Sequence, residues 1–503
     1  MDVSSWLSHA AAGMPTLAIL LLLLSRRLRR PNLPPGPKPW PLIGNLHLMG
    51  SLPHQSIHQL SKKYGPIMQL RFGSFPVVVG SSVQMAKLFL KTHDLNFVYR
   101  PKTAVGKYMT YNYSNITWSQ YGPYWRQARK IWLLELFSAK RLDSSEYIRR
   151  EERNGLLKQI YNSSGNPIKL KLYLFTLSLN VISRMVLGKK YTDESENGIV
   201  SPDEFMEMMD ELFLLSGVLN IGDLIPWIEF LDVQGYVKRM KAISKKFDRF
   251  LEHVLDRHNE RNNTNRINHF FVSLHFNIFW IVVKSMALTL TLKYFQDLIA
   301  GATDTSTVTV EWAMSELLKK PEILEKATEE LDRVIGRERW VEEKDIVNLE
   351  YMDAIAKETM RLHPVVPMLV PRLSNKDCQI AGYDIPKGTR VLVNVWTIGR
   401  DPTVWENPDE FNPERFVGKD IDVKGQDFEL LPFGSGRRMC PGYSLGLKVV
   451  MSTLANLVHG FTWELGGDLN MEEVFGLTTP KKFPLLAIAQ PRLPPHLYSC
   501  LMD

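Results

Sequence analysis

Cys440 stands in the run Phe433-Gly434-Ser435-Gly436-Arg437-Arg438-Met439-Cys440-Pro441-Gly442, directly ahead of an apolar segment with helical spacing. No other stretch restricts the fold as strongly. Its glycines let the backbone turn tightly and approach a flat ligand, and the helix opening after Pro441, with Arg437 and Arg438, would favour a thiolate. This is how a chain presents one sulfur to a metal. A buried structural cysteine in an ordinary turn is the plainer alternative. Zinc fits poorly, because no second cysteine or histidine lies at ligand spacing around Cys440. Nor is Gly434-Ser435-Gly436 a phosphate loop, since no Gly-Lys-Ser/Thr ending follows.

At every fixed position the run resembles the haem-binding signature of the cytochromes P450, Phe-x-x-Gly-x-Arg-x-Cys-x-Gly. The resemblance implies that Cys440 is the axial ligand of a haem iron, with Phe433, Gly436 and Arg438 around the same cofactor.

Further elements occur in the order this family requires. In Tyr121-Gly122-Pro123-Tyr124-Trp125-Arg126-Gln127-Ala128-Arg129, Trp125 and Arg129 lie four apart and share one helix face. An indole N–H and a guanidinium can together hold a carboxylate. The pair resembles the Trp-x-x-x-Arg element, which implies a grip on one haem propionate, and Arg372 and Arg438 are implied as further propionate partners.

Glu358 and Arg361 are one turn apart, a spacing that on an exposed helix is worth only roughly a few tenths of a kcal/mol. Together with Pro413-Glu414-Arg415-Phe416 they resemble the Glu-x-x-Arg and Arg triad of the family. That implies a buried network of Glu358, Arg361 and Arg415 serving folding and haem retention, with no role in chemistry.

Ala300-Gly301-Ala302-Thr303-Asp304-Thr305-Ser306 is a poor helix interior, because Gly, Thr, Asp and Ser compete with the backbone ladder. We expect a local opening of the helix there. An acid beside a hydroxyl in a loosened turn can bring protons inward while bulk water stays out. The stretch resembles the oxygen-binding helix of the family, implying proton delivery by Asp304 and Thr305, with Ala302 where a second glycine is commoner. A solvated polar turn is the alternative.

Composition limits the setting. Of 503 residues, 45% are hydrophobic and 23% charged, which suits a folded body with a sizeable core and excludes disordered and collagen-like classes. Cys378, Cys440 and Cys500 cannot make a disulfide framework, so the body belongs in a reducing compartment. The triplets starting at Asn112, Asn115, Asn162 and Asn262 match the glycosylation pattern but are not expected to be modified.

Trp6 to Leu24 carries no formal charge over 19 residues, just enough to cross a hydrocarbon core as a helix. Arg26, Arg27, Arg29 and Arg30 follow at once, which marks an uncleaved anchor with the body on the cytosolic side. Pro31 to Pro41 reads as a stiff spacer, similar to the hinge of microsomal P450s. The net charge of +7, with four arginines beside the anchor, gives no reason to expect nucleic acid and suits a membrane surface or an acidic electron donor. We expect a single-pass endoplasmic reticulum protein with an anchor and basic stop at 1–30, a hinge at 31–45 and a catalytic domain at 46–503.

Within that domain the patterns predict strands at Ile67 to Phe72 and Val77 to Val79, helices at Glu311 to Lys319, Ile323 to Ile335 and Tyr351 to Leu362, and strand-like pieces at Leu369 to Arg372, Cys378 to Tyr383 and Arg390 to Val395. The fold class is mainly α with small β-sheets, in agreement with the P450 fold that the resemblance implies. Between Arg266 and Gln296 the chain departs from the family, being rich in β-branched and aromatic residues. A second membrane-dipping segment, a buried irregular element and translated intron are the three readings. The last is favoured because His275, Asn277 and Lys284 spoil a membrane span.

The hinge, the cysteine run and the Gly476 to Pro480 tail resemble the plant microsomal group that contains flavonoid hydroxylases and terpenoid oxidases. The resemblance implies insertion of one atom of O2 into a small lipophilic substrate, with electrons from NADPH-cytochrome P450 reductase. By position in the family pattern, Val105 to Thr117, Leu212 to Ser216, Val365 to Leu369 and Phe475 to Thr479 line the pocket, and they do not separate a phenolic from a terpenoid substrate. The rivals are a reductase-independent P450 that rearranges hydroperoxides, against which the Asp304-Thr305 pair argues, and a non-catalytic haem-binding protein.

Overall fold

The computed structural model describes residues 31–188, 190, 200–264 and 288–501. The expected anchor and most of the 266–296 stretch lie outside the described residues.

The chain opens with α1 (Pro53–Tyr64) and the antiparallel hairpin β1 (Ile67–Phe72) and β2 (Phe75–Gly80). Helices α2 (Pro123–Ile131) and α3 (Glu146–Asn162), the short strand β3 (Pro167–Lys169), and helices α4 (Leu170–Leu187), α5 (Pro202–Gly217) and α6 (Tyr236–Thr264) follow. The long α7 (Leu288–Lys319) leads into α8 (Pro321–Val334) and α9 (Glu350–Leu362). Short strands β4 (Arg372–Leu373), β5 (Cys378–Ile380), β6 (Tyr383–Ile385) and β7 (Arg390–Val393) precede α10 (Tyr443–Gly460), and β8 (Phe461–Leu465), β9 (Leu486–Pro491) and a short helix at Pro495–Ser499 follow.

Among the described residues three small sheets accompany the helices. β1, β2, β7 and β4 form one, in which β2 and β7 are parallel with Val77 opposite Arg390 and Gly80 opposite Val393. The other two join β3, β9 and β8, and β5 with β6.

The core lies where α7 packs against α4 and α10. From Val449 to Gly460 every residue of α10 is buried, so that part of the helix is interior on all sides. The expected helices at 311–319, 323–335 and 351–362 fall in α7, α8 and α9. The expected strand at 369–372 survives only from Arg372 onward, because Leu369 takes a φ of 50°. The piece at 378–383 divides into β5 and β6 at a turn where Ala381 and Gly382 have φ values of 49° and 84°.

The local opening expected between 300 and 306 is absent: α7 runs through it without a break. Thr303, Thr305, Thr307 and Thr309 each donate a hydroxyl hydrogen bond to the carbonyl four residues back, so the competing groups are satisfied inside the helix. Burial against α4 and α10 then outweighs weak propensity.

Candidate functional site

A cavity of about 180 Å³ lies between α7 and the cysteine loop. Gly301, Ala302 and Thr305 of α7 line it, as do Phe433, Cys440 and Gly442. The loop is shaped by backbone constraints. Cys440 N–H donates to the Phe433 carbonyl at 3.0 Å, and Gly434 and Gly436 have φ values of 67° and 72°. A Cβ at Gly436 would lie 2.0 Å from the Leu90 carbonyl oxygen, so only glycine fits there.

Burial pushes the pKa of the Cys440 thiol up, while the Gly442 backbone N–H and the Arg129 charge act in the thiolate's favour. The cations beside the sulfur therefore differ from the sequence expectation. Arg437 turns outward to Asp94, at 2.9 Å, and Arg438 donates to the carbonyls of Val98, at 2.9 Å, and Ser119, at 2.7 Å. The useful cation comes from α2.

Around this loop the structure gathers Arg100, Arg129, Arg372 and Arg438. Arg372 is buried and meets Asp94 at 2.8 Å and the Ser435 carbonyl at 3.0 Å. Arg100 is buried among the carbonyls of Thr117, Val370 and Pro371. Desolvation first, then Arg372 and Arg129, push Arg438 down to about 9. Arg129 is lowered by desolvation, and Cys440 is the one charge that opposes this. Among the described residues Asp94 is the only acid paired with this group.

Trp125 departs from its expected role: its indole N–H donates to the Ile116 carbonyl at 2.9 Å, because residues 115–119 fold across it. Its ring instead carries Arg438 at 4.4 Å and Arg129 at 5.4 Å. These residues fit haem. The sulfur of Cys440 faces a cavity beside a set of buried guanidiniums whose surplus charge suits two carboxylates.

Asp304 and Thr305 occupy different faces of α7. Thr305 lines the cavity and its hydroxyl donates to the Gly301 carbonyl at 2.9 Å. Asp304 is buried away from it, accepting from the Thr478 hydroxyl at 3.0 Å. Desolvation pushes its carboxyl up to about 6, with Lys171 pulling the other way. Lys171 is itself paired with Asp210 at 2.7 Å.

Glu358, Arg361 and Arg415 meet as one buried network. Glu358 accepts from Arg361 at 2.6 and 2.8 Å and from Arg415 at 2.9 Å, and both guanidiniums use remaining donors on backbone carbonyls between Gly399 and Glu410.

Of the expected pocket segments, Ile116 and Thr117 line the cavity beside Cys440. Val105, Ser216 and Met368 line a second cavity of about 110 Å³, with Phe72 and Trp118. Thr478 and Thr479 instead brace α7, through Asp304 and through Trp312 Nε1, which donates to the Thr479 carbonyl at 3.1 Å. Sequence reasoning missed Asp94, Arg100, Lys171 and Asp297. Asp297 was detectable, since it lies four residues before Gly301 and eight before Thr305 on one helical face. The other three meet the site only through tertiary contacts.

The family model for Cytochrome P450 matches residues 34–486. The chain is 45% identical to trimethyltridecatetraene synthase of Zea mays, over 93% of this chain and 90% of that protein. It is 40% identical to flavonoid 3'-monooxygenase of Petunia hybrida, over 99% of this chain and all of that protein (100%). A solved zebra fish cytochrome P450 with abiraterone superposes at a TM-score of 0.72 and 24% identity, over 88% of this chain and 100% of that one.

Proposed function

The chain belongs to the cytochrome P450 family and has its mainly helical fold with small sheets, and from that premise we propose which of its residues carry the chemistry. It is a haem-thiolate monooxygenase acting on a small molecule with O2 and a redox partner. Bound haem supplies oxygen activation, for which a thiolate ligand is suited. Cys440 is the ligand to the iron, and Phe433 and Gly436 shape the loop that holds it. Arg129, Arg372 and Arg438 compensate the propionates, and Trp125 orients two of those guanidiniums. Asp304 and Thr305 move protons inward along α7, with the Thr305 hydroxyl as the last group before the cavity. The observation that carries this reading is the placement of Cys440 and Thr305 on the walls of one cavity.

The substrate is a lipophilic plant secondary metabolite, flavonoid-like or terpenoid. The names of the relatives, flavonoid 3'-monooxygenase and trimethyltridecatetraene synthase, support both classes. Residues 1–30 serve as the anchor, 31–45 as the hinge and 46–503 as the catalytic domain of an endoplasmic reticulum protein. No described helix is long and apolar enough to cross a membrane. Exposed Trp227, Phe230 and Val233 support membrane contact of the body itself. They share a side with exposed Trp40 and Leu42, since Gly73 N–H donates to the Ile43 carbonyl and Ser74 N–H to the Leu224 carbonyl. NADPH-cytochrome P450 reductase docks on the Cys440 side, where Arg126 and Lys130 are exposed on α2.

The test is the carbon monoxide difference spectrum of the reduced full-length protein in microsomes, followed by NADPH-dependent turnover. A red-shifted thiolate band lost in Cys440→Ser supports the reading. Its absence from the wild type overturns it.

A further inference from the structure

We propose that Asp297 is a positioning residue for the cofactor's cationic cradle, acting through the backbone of Ile116. The inference rests on the haem reading above.

Asp297 lines the same cavity as Gly301 and Thr305, and protein encloses its carboxylate apart from the face that opens there. One oxygen accepts from the Asn115 side-chain amide at 2.7 Å and the other from the Ile116 N–H at 2.6 Å. No cation is among the groups that set its acidity: burial drives its pKa up to about 7, and those two neutral donors oppose the shift. An acid this poorly compensated is costly to keep in a helix unless something depends on its two bonds.

What depends on them is a strap, residues 115–119. The Ile116 carbonyl accepts from Trp125 Nε1 at 2.9 Å and from Arg438 at 3.4 Å. The Thr117 carbonyl accepts from Arg100 Nε at 2.9 Å, and the Ser119 carbonyl from Arg438 at 2.7 Å. Asn115 Oδ1 closes the strap by accepting from the Trp118 N–H at 2.8 Å. Thus one edge of the strap is fixed by a carboxylate on α7. The other edge fixes an indole and two guanidiniums of the cradle. The Ile116 N–H and carbonyl belong to successive peptide planes hinged at one Cα, so releasing the N–H lets residue 116 turn and loosens the carbonyl on which Trp125 and Arg438 converge.

Asp297→Asn is nearly isosteric but replaces one acceptor by a donor, so it cannot accept from both Asn115 and Ile116. In the full-length protein it should shift the haem reduction potential to more negative values, because cations near the propionates favour the reduced form. Haem transfer to an acceptor apoprotein should become roughly tenfold faster, the equivalent of one hydrogen bond to a charged group. In an Arg438→Gln background the same substitution should change both quantities far less. Unchanged potential and haem loss in Asp297→Asn, or equal shifts in the two backgrounds, would overturn the inference. A role confined to stability would move the unfolding temperature and leave the potential in place. Should Asp297→Asn not accumulate, Asn115→Ala removes one of the two donors and is read in the same way. A wild type without the thiolate band defeats the haem reading, whereas a normal band with unshifted variants defeats this inference alone.

Discussion

Two of the groups of buried charge within this molecule are built on opposite terms. In the Glu358 network one carboxylate meets two guanidiniums, and their remaining donors end on carbonyls of residues 399–410. Around the cysteine loop, Arg100, Arg129, Arg372 and Arg438 have among the described residues one acid partner, Asp94, which pairs with Arg372, and on the α7 side Asp304 Oδ1 has no hydrogen-bond partner among the described residues. The first group is closed. The second leaves charge unmatched, and in the reading proposed above the difference separates charge that holds a fold from charge that holds a ligand or moves a proton.

The sharpest way to break that contrast is Glu358→Ala. It strands two buried guanidiniums, so we expect a loss of about 3–5 kcal/mol in chemical denaturation, with little haem recovered. A variant that folds with ordinary stability would show that the network is not closed in the sense argued here.

Asp304→Asn should do the reverse to stability. The carboxyl's folded value of about 6 exceeds its ordinary value of 3.8, chiefly through burial. A raised acid is penalised when ionised, so the penalty is absent below about pH 4, grows as pH rises toward about 6, and is constant above. By that linkage the variant gains up to about 3 kcal/mol over the wild type at neutral pH and nothing near pH 3.5. Denaturation of both proteins across that range checks the sign. Product formed per NADPH should fall at the same time, since the destabilising group is the one proposed to move protons.

Arg129→Met tests the open group from the other side. Arg129 is only partly buried and has no acid partner among the described residues, so removing its charge strands nothing, and unfolding of the haem-free protein should change by less than about 1 kcal/mol. Haem loss should accelerate roughly tenfold, because a charge-assisted contact to a carboxylate is gone.

The closed and open groups also differed in how far the sequence revealed them. Glu358, Arg361 and Arg415 were legible because the motif names every member of the network. Cys440, Phe433 and Gly436 were legible because one short loop carries its own geometry. The open group was legible only in part. Arg129, Arg372 and Arg438 fell in recognisable patterns, but which cation faces the sulfur depends on how α2 crosses the cysteine loop. The Trp125 indole was assigned to a carboxylate and found on a carbonyl, because no local signal announces that residues 115–119 fold back over α2. In α7 propensity misled. It registers the side chains that compete with the helix and ignores that threonine hydroxyls bond carbonyls four residues back.

The smallest expected effect concerns Thr305, and it decides whether α7 belongs on the functional side of the contrast at all. Its hydroxyl hydrogen is committed to the Gly301 carbonyl, which leaves the oxygen's lone pairs toward the cavity that Thr305 lines. Thr305→Ala keeps the helix, since alanine is the better helix former and no buried partner is stranded in the core. Stability and haem content should therefore match the wild type. What changes is the path: without the hydroxyl, protons reach the cavity by unordered water, and reducing equivalents are lost as reduced oxygen species. NADPH consumption should stay within about twofold of the wild type while product per NADPH falls several-fold, less than one positioned proton-transfer group typically contributes, because water still supplies part of the path. Thr305→Ser restores the hydroxyl without the methyl and should recover most of the yield. If the serine variant behaves like the alanine one, the methyl's packing matters and the hydroxyl does not, and Thr305 then acts as wall and not as relay.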